Sequence, residues 1–166
     1  VGCGVQDEGQ IQVSLGTSGT LLAPTRGPQV DKDMRLHTFC HSVPNRWYMM
    51  GTILSAGDSL RWLKNIVGKE LSYDTLIGET EPLHPGSDGL TFLPYLAGER
   101  TPHNDAKARG VFFGLHLGHQ RGHLVRSVLE GICFALRDSL ELVRQSGRIS
   151  ENITAIGGGN RSRIWR

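Results

Sequence analysis

The chain has 166 residues, 38% of them hydrophobic, with 18 Lys and Arg against 16 Asp and Glu and a net charge of +2. That is enough apolar chain for one globular core, and the basic surplus is too small and too dispersed to point to nucleic acid or an anionic membrane as a partner. Cys3, Cys40 and Cys133 are far apart, odd in number and without ligand spacing, which argues for reduced thiols in a cytoplasmic protein over a disulfide framework, while no run approaches the roughly 20 apolar residues of a membrane span and no signal peptide opens the chain.

From Val1 to Thr25 a glycine-rich start leads through a turn at Asp7-Glu8-Gly9 to the alternating run Ile11-Gln12-Val13. The stretch Ser14-Leu15-Gly16-Thr17-Ser18-Gly19-Thr20 then joins that run to the apolar pair Leu21-Leu22 as a tight hairpin. Leu36 to His41 and Arg46 to Met50 predict a second strand pair, turning at Ser42-Val43-Pro44-Asn45. The first third is therefore β.

After Gly51 the period changes. Leu60, Leu63 and Val67 fall on one helical face and predict a helix from near Ser55 to Gly68, with Lys64 in its last turn. Ser72 to Thr80 predicts a weaker helix entered through Ser72 and interrupted by Gly78, and the breaker-rich segment from Glu81 to Gly89 reads as a loop. Leu90-Thr91-Phe92-Leu93 reads as a short buried strand, followed by an irregular run from Pro94 to Gly110. A connection of that length without a period of its own is usually functional or disordered, and Pro94-Tyr95-Leu96 argues against disorder. Leu124, Val128, Ile132, Leu136 and Leu140, flanked by Leu129 and Val143, predict a buried amphipathic helix from His123 to Ser146 that Gly147 ends. Ile153 to Ile156 makes a strand running into Gly157-Gly158-Gly159-Asn160, where a further helix begins. Opening on Val1 without a methionine and stopping at Arg166 just after that turn, the chain reads as a piece of a longer protein.

Two glycine clusters could carry chemistry. Around Thr17 and Ser18 the flanking glycines let backbone N–H groups and two hydroxyls converge into a concavity that suits an anionic oxygen, although an ordinary hairpin uses the same residues. Gly157 to Gly159 would let a flat ring or a sugar lie against the backbone, with Asn160 to hydrogen-bond it, and a plain strand-to-helix turn is again the simpler reading. Neither cluster has the dinucleotide spacing, and the sequence has no Walker-type Gly-Lys-Ser or Gly-Lys-Thr. His119 and His123 are separated by Gly122 and need not share a face, so no metal site is predicted. Glu99-Arg100 and Asp105 could be catalytic carboxylates, but such charges more often hold a loop through Arg–carboxylate bonds.

The run from Pro94 to Asn104, Pro-Tyr-Leu-Ala-Gly-Glu-Arg-Thr-Pro-His-Asn, followed by Arg109-Gly110-Val111-Phe112-Phe113-Gly114-Leu115, resembles the C-terminal signature of the FGGY carbohydrate kinases, within that family most of all the members acting on D-xylulose. His123-Leu124 and Ser127-Val128-Leu129-Glu130-Gly131 resemble the helix that closes the signature, and Leu15-Gly16-Thr17-Ser18-Gly19 and Phe39-Cys40-His41-Ser42-Val43-Pro44 fit the family as well, in the same order.

The resemblance implies an α/β actin/Hsp70-like (ribonuclease H-like) ATPase fold, with residues 1–166 as a partial C-terminal, nucleotide-binding domain, incomplete at both ends. It implies ATP and Mg2+ as cofactors and transfer of the γ-phosphoryl group to the 5-hydroxyl of D-xylulose. Carried over residue by residue, Gly16, Thr17 and Ser18 would contact the ATP phosphates, Gly158, Gly159 and Asn160 the adenosine, and Gly57 and Leu60 the nucleotide's other side. The family's aspartate base lies upstream of the point matching Val1, so no catalytic residue is assigned, no metal ligand is assigned, and the fragment alone is expected to be inactive. The sugar is expected on an N-terminal domain, with no nucleic-acid or membrane partner and a homodimer as the full-length assembly. Two alternatives stand beside this expectation: a kinase of the same family for glycerol, gluconate, ribulose, fuculose or rhamnulose, and a non-catalytic remnant of a broken gene.

Overall fold

The structure, a computed structural model, describes residues 2–147, 149–150 and 152–166. Its frame is a five-stranded sheet built from β1 (Ile11–Leu15), β2 (Gly19–Thr25), β3 (His37–Cys40), β4 (Trp47–Ile53) and β7 (Ile153–Ile156), in the order β3-β4-β2-β1-β7. All neighbours are antiparallel except β1 and β7, which run parallel with Ser14 opposite Ile156. A parallel pair needs a crossover, and α3 (Arg121–Ser146), which leads into β7, supplies it. Between β4 and α3 lie α1 (Gly57–Val67), α2 (Tyr73–Gly78) and a two-stranded sheet of β5 (Thr91–Leu93) and β6 (Val111–Phe113).

The two predicted hairpins form as read. Leu15 faces Gly19 across the first, and His41 N–H donates to the Arg46 carbonyl at 2.9 Å to close the second. The strand expected to finish at Met50 continues to Ile53. Gly51 is no strand end: a Cβ there would stand 2.9 Å from the Ser139 Cβ, so its missing side chain is what lets α3 lie against β4. The predicted buried strand at Leu90–Leu93 is half right, since only Leu90 and Phe92 are buried and Thr91 and Leu93 face out. Its partner β6 lies beyond the long irregular run, is three residues long and has no periodicity to announce it.

One apolar core joins the sheet to all three helices, with Ile53, Leu63, Leu76, Phe92, Val128 and Ile132 among its members; a smaller one on the far end of the sheet gathers Ile11, Leu21, Met49 and Val143. The period of α3 is therefore that of a helix buried along one stripe. It begins at Arg121, two residues before the expected His123, because the His123 ring reaches back and its Nδ1 accepts the Gln120 N–H at 3.0 Å, a reciprocal N-terminal cap. Among the described residues no helix is long and apolar enough to cross a membrane.

Gly131 marks the tightest contact of α3. An added Cβ would fall 2.2 Å from the Phe92 carbonyl oxygen, so helix and β5 would have to part. Gly131→Ala is expected to destabilise the protein by roughly 1–3 kcal/mol, the range for forced overpacking, measured as a lowered thermal midpoint.

Candidate functional site

Strands β1 and β7 end side by side, and the chain leaves both in glycine turns. The parallel register brings Gly16, just past β1, next to the turn that follows Ile156. Gly157 has φ +93°, and a Cβ on it would sit 2.5 Å from the Leu15 carbonyl oxygen. Only glycine makes that left-handed turn so close to β1. A crevice outside the carboxyl ends of parallel strands is where α/β sheets bind ligands.

The first turn is seated on α1. The carbonyl of Thr17 accepts the N–H groups of Ala56 (3.0 Å) and Asp58 (3.1 Å), and that of Gly16 accepts the Gly57 N–H at 2.9 Å. These are the donors a helix leaves open at its start, so α1 is capped by the hairpin and not by a side chain of its own. This is why α1 begins at Gly57 and not near Ser55 as expected: its cap is tertiary. The third carbonyl of the turn, that of Ser18, accepts the Gly16 N–H at 3.1 Å. All three loop carbonyls are thus engaged, whereas the N–H groups of Thr17 and Ser18 and the Thr17 hydroxyl have no partner among the described residues. A turn with its acceptors satisfied and its donors free is a receptor for an anion.

Gly16 and Thr17 open on a cavity of about 730 Å³. Gly57 and Leu60 of α1 line it, as do Gly158 and Gly159 from the turn after β7, so six of the eight residues singled out from the sequence share one space. Its remaining wall comes from α2 and the C-terminal segment, notably Tyr73, Ile77, Arg161 and Trp165, which the sequence reading did not select. Those residues carry no motif; only the weak helix at Ser72 placed anything there. That helix is fixed to α3 by the Arg121 guanidinium, whose Nε donates to Glu79 Oε2 at 2.9 Å and whose hydrogen bonds hold the Glu79 carboxyl below the usual range.

Within this space the glycines have different duties. A Cβ on Gly158 would meet nothing within 4 Å and would project into free space, while one on Gly159 would strike the Trp165 ring at 2.8 Å and the Leu15 Cβ at 2.9 Å. Gly158 borders open space; Gly159 leaves room for the protein. Ser18 and Asn160 stand beside the cavity with their side chains committed elsewhere. The Ser18 hydroxyl donates to the Leu54 carbonyl at 3.2 Å, and the Asn160 amide to the Ala155 carbonyl at 2.9 Å.

Residues 11–166 match the FGGY family of carbohydrate kinases, C-terminal domain. The chain belongs to this family. It is 42% identical over 166 residues to the xylulose kinase of Escherichia coli K12, covering all of this chain and 34% of that protein. It is 36% identical over 171 residues to the gluconokinase of Bacillus subtilis, covering 96% of this chain and 33% of that one. The crystal structure of a xyloylose kinase from Brucella ovis superposes with a TM-score of 0.91 at 44% identity, over 98% of this chain and 34% of that one. The chain thus spans about a third of the length of the curated relatives it matches. The fold is the α/β actin/Hsp70-like ATPase fold expected for the family.

The carboxylates of the signature loop lie outside the cavity. Glu99 is buried, and its Oε1 accepts two backbone N–H groups, from Leu54 (3.0 Å) and Arg100 (2.7 Å), so the loop is held through the main chain and not by the Arg–carboxylate bond expected from sequence. Asp105 pairs with Glu99 main chain to main chain, and its own carboxylate accepts the Lys107 N–H at 2.7 Å. The rings of His119 and His123 do approach, to 5.2 Å between centroids, but among the described residues no three His, Cys, Asp or Glu side chains are grouped to hold a metal.

Proposed function

We propose that residues 1–166 are the nucleotide-binding part of an ATP-dependent D-xylulose kinase. The observation that carries this reading is the convergence of two glycine turns on one cavity, one of them presenting free N–H donors. Similarity to xylulose kinases across the whole chain supports the sugar.

ATP supplies the phosphoryl group. The N–H groups of Thr17 and Ser18 and the Thr17 hydroxyl are placed to donate to phosphate oxygens, and because α1 already holds the carbonyls of Gly16 and Thr17, the donors are set before any ligand arrives. Fixed dipoles of this kind stabilise charge that develops during transfer without having to reorganise. Gly158 leaves a flat group space against the main chain, and the buried side chains of Ile77 and Trp165 make that side of the cavity apolar. Mg2+ belongs to the reading as a companion of the nucleotide.

The test is ADP release by the full-length protein with D-xylulose, gluconate, glycerol and ribulose in parallel. A preference for D-xylulose of at least about tenfold in kcat/KM is expected, since discrimination of hydroxyl patterns by hydrogen bonding readily reaches that size. A preference for gluconate would keep the kinase and change its substrate. No ADP release with any acceptor, together with no nucleotide binding, would overturn the reading.

A further inference from the structure

The sequence motif that the cavity does not absorb is Glu99-Arg100-Thr101, and the structure places it behind the phosphate-facing hairpin. β3 pairs with β4 only as far as His37 opposite Met50. Beyond that register the loop's side chains take over as partners of β4. Thr52 N–H donates to the Thr101 hydroxyl at 3.0 Å, which in turn donates to the Arg35 carbonyl at 2.6 Å, while the Thr101 N–H donates to the Thr52 carbonyl at 3.0 Å. Two residues further on, Leu54 N–H donates to Glu99 Oε1 at 3.0 Å.

Leu54 is the hinge of the site. Its N–H is held by Glu99, and its carbonyl accepts the Ser18 hydroxyl at 3.2 Å. The next residues, Ala56 to Asp58, supply the three N–H groups on which Gly16 and Thr17 sit. Glu99 is therefore joined to the hairpin through a single residue, Leu54. Its setting is unusual for a carboxylate: the residue is 2% exposed, and Oε2 has no hydrogen-bond partner among the described residues. A loop anchor could be a Gln or Thr at a smaller desolvation cost, so a buried half-satisfied carboxylate marks a position where the acceptor's strength matters.

We propose that Glu99 is a positioning residue for phosphoryl transfer, its carboxylate fixing Leu54 and through it the donor geometry of Thr17 and Ser18. This rests on the nucleotide reading of the cavity. Burial pushes the Glu99 carboxyl up to about 7, against the two N–H bonds that lower it. The neighbouring titratable groups are Tyr95, whose hydroxyl meets His103 Nε2 at 2.9 Å, and Asp138 of α3; burial first, then the charges of Asp138 and Glu99, push the Tyr95 phenol up. The ionised form of Glu99 is the stronger acceptor, so the seat of the hairpin tightens as pH rises through about 7. Stability moves the opposite way. A carboxyl raised in the folded state favours folding when protonated, so its contribution is full below the unfolded value and falls as pH rises toward 7.

In the full-length protein, kcat/KM for ATP is expected to rise at least about threefold between pH 6 and 8 through an inflection near 7, reflecting the stronger charged acceptor, while the thermal midpoint falls over the same range. Glu99→Gln keeps both N–H contacts without the charge. It is expected to remove the inflection and to leave KM for the sugar unchanged. Glu99→Ala and Ser18→Ala are expected to combine less than additively in KM for ATP, because both act through Leu54. A Glu99→Gln protein that keeps the inflection, or single variants that lower stability while leaving ATP kinetics untouched, would reduce Glu99 to a loop anchor. Should Glu99→Ala fail to fold, the Glu99→Gln profile decides alone. Binding of ADP to the wild-type protein, measured by calorimetry, separates the two readings: no binding overturns the nucleotide site itself, and equal binding and turnover in wild type and variants overturns only the role of Glu99.

Discussion

Gly57→Ala is expected to lower kcat/KM for ATP by about 100-fold in the full-length protein. The new Cβ would stand 2.6 Å from the Gly16 carbonyl oxygen and 3.3 Å from its carbon, both main-chain atoms that no rotamer change can move. Relief requires α1 and the hairpin to separate by most of an ångström. That movement breaks the Gly57 N–H bond to Gly16 and loosens the flanking bonds of Ala56 and Asp58 to Thr17. A displacement near 1 Å of positioned groups is enough for a loss on the order of 10². Alanine is otherwise the better helix former, so a general effect on α1 would be stabilising and cannot mimic the result. Gly27→Ala, whose Cβ would meet nothing within 4 Å, is the control and should leave the kinetics as they are. A Gly57→Ala protein with wild-type ATP kinetics would mean that the seat of the hairpin is irrelevant to turnover.

Both turns and the long helix were legible in the sequence because their causes are local. Gly16 to Gly19 and Gly157 to Gly159 are dense in residues that permit sharp turns, and the apolar stripe from Leu124 to Leu140 keeps one period throughout. What sequence could not deliver was their meeting. The shared cavity exists because β7 returns beside β1 in parallel, and nothing local in Ile153–Ile156 names that partner. The resemblance implies that meeting by assigning both turns to one nucleotide, and the shared cavity is what the structure adds.

The elements that depart from the sequence expectation do so for the same physical reason. α1 begins later than its apolar period suggests because its cap is a pair of carbonyls from the hairpin and no side chain of its own announces it. β6 has no signal in the sequence because three residues carry no alternation, and their strand character comes only from pairing with β5. The charges of Glu99, Arg100 and Asp105 suggest a loop held by Arg–carboxylate bonds, whereas Glu99 accepts the N–H of Leu54, which no strand pairs beyond the end of β3. In each case a backbone group left over by one element is satisfied by another distant in sequence.

Replacing Thr17 with Val tests the turn at its centre. Valine keeps the β-branched shape, and the Thr17 carbonyl remains bound by Ala56 and Asp58, so the loop is expected to hold its conformation. Only the hydroxyl disappears, and that hydroxyl has no partner among the described residues, so no internal bond is lost with it. A stability change beyond a few tenths of a kcal/mol is therefore not expected, as for most exposed substitutions. If the hydroxyl donates to an oxygen that gains charge during transfer, its removal takes one donor from a preorganised set. Deleting one such donor from an oxyanion hole lowers turnover on the order of 10²–10³-fold. Two main-chain N–H groups remain here, so a loss beyond about tenfold, about 1.4 kcal/mol, is the expected minimum. It should appear in turnover or in KM for ATP and leave KM for the sugar alone, since the acceptor lies on the other side of the transferred group. Unchanged ATP kinetics in Thr17→Val would leave the two N–H groups as the only donors of the turn, and the hydroxyl as an ordinary solvent-facing group on a hairpin.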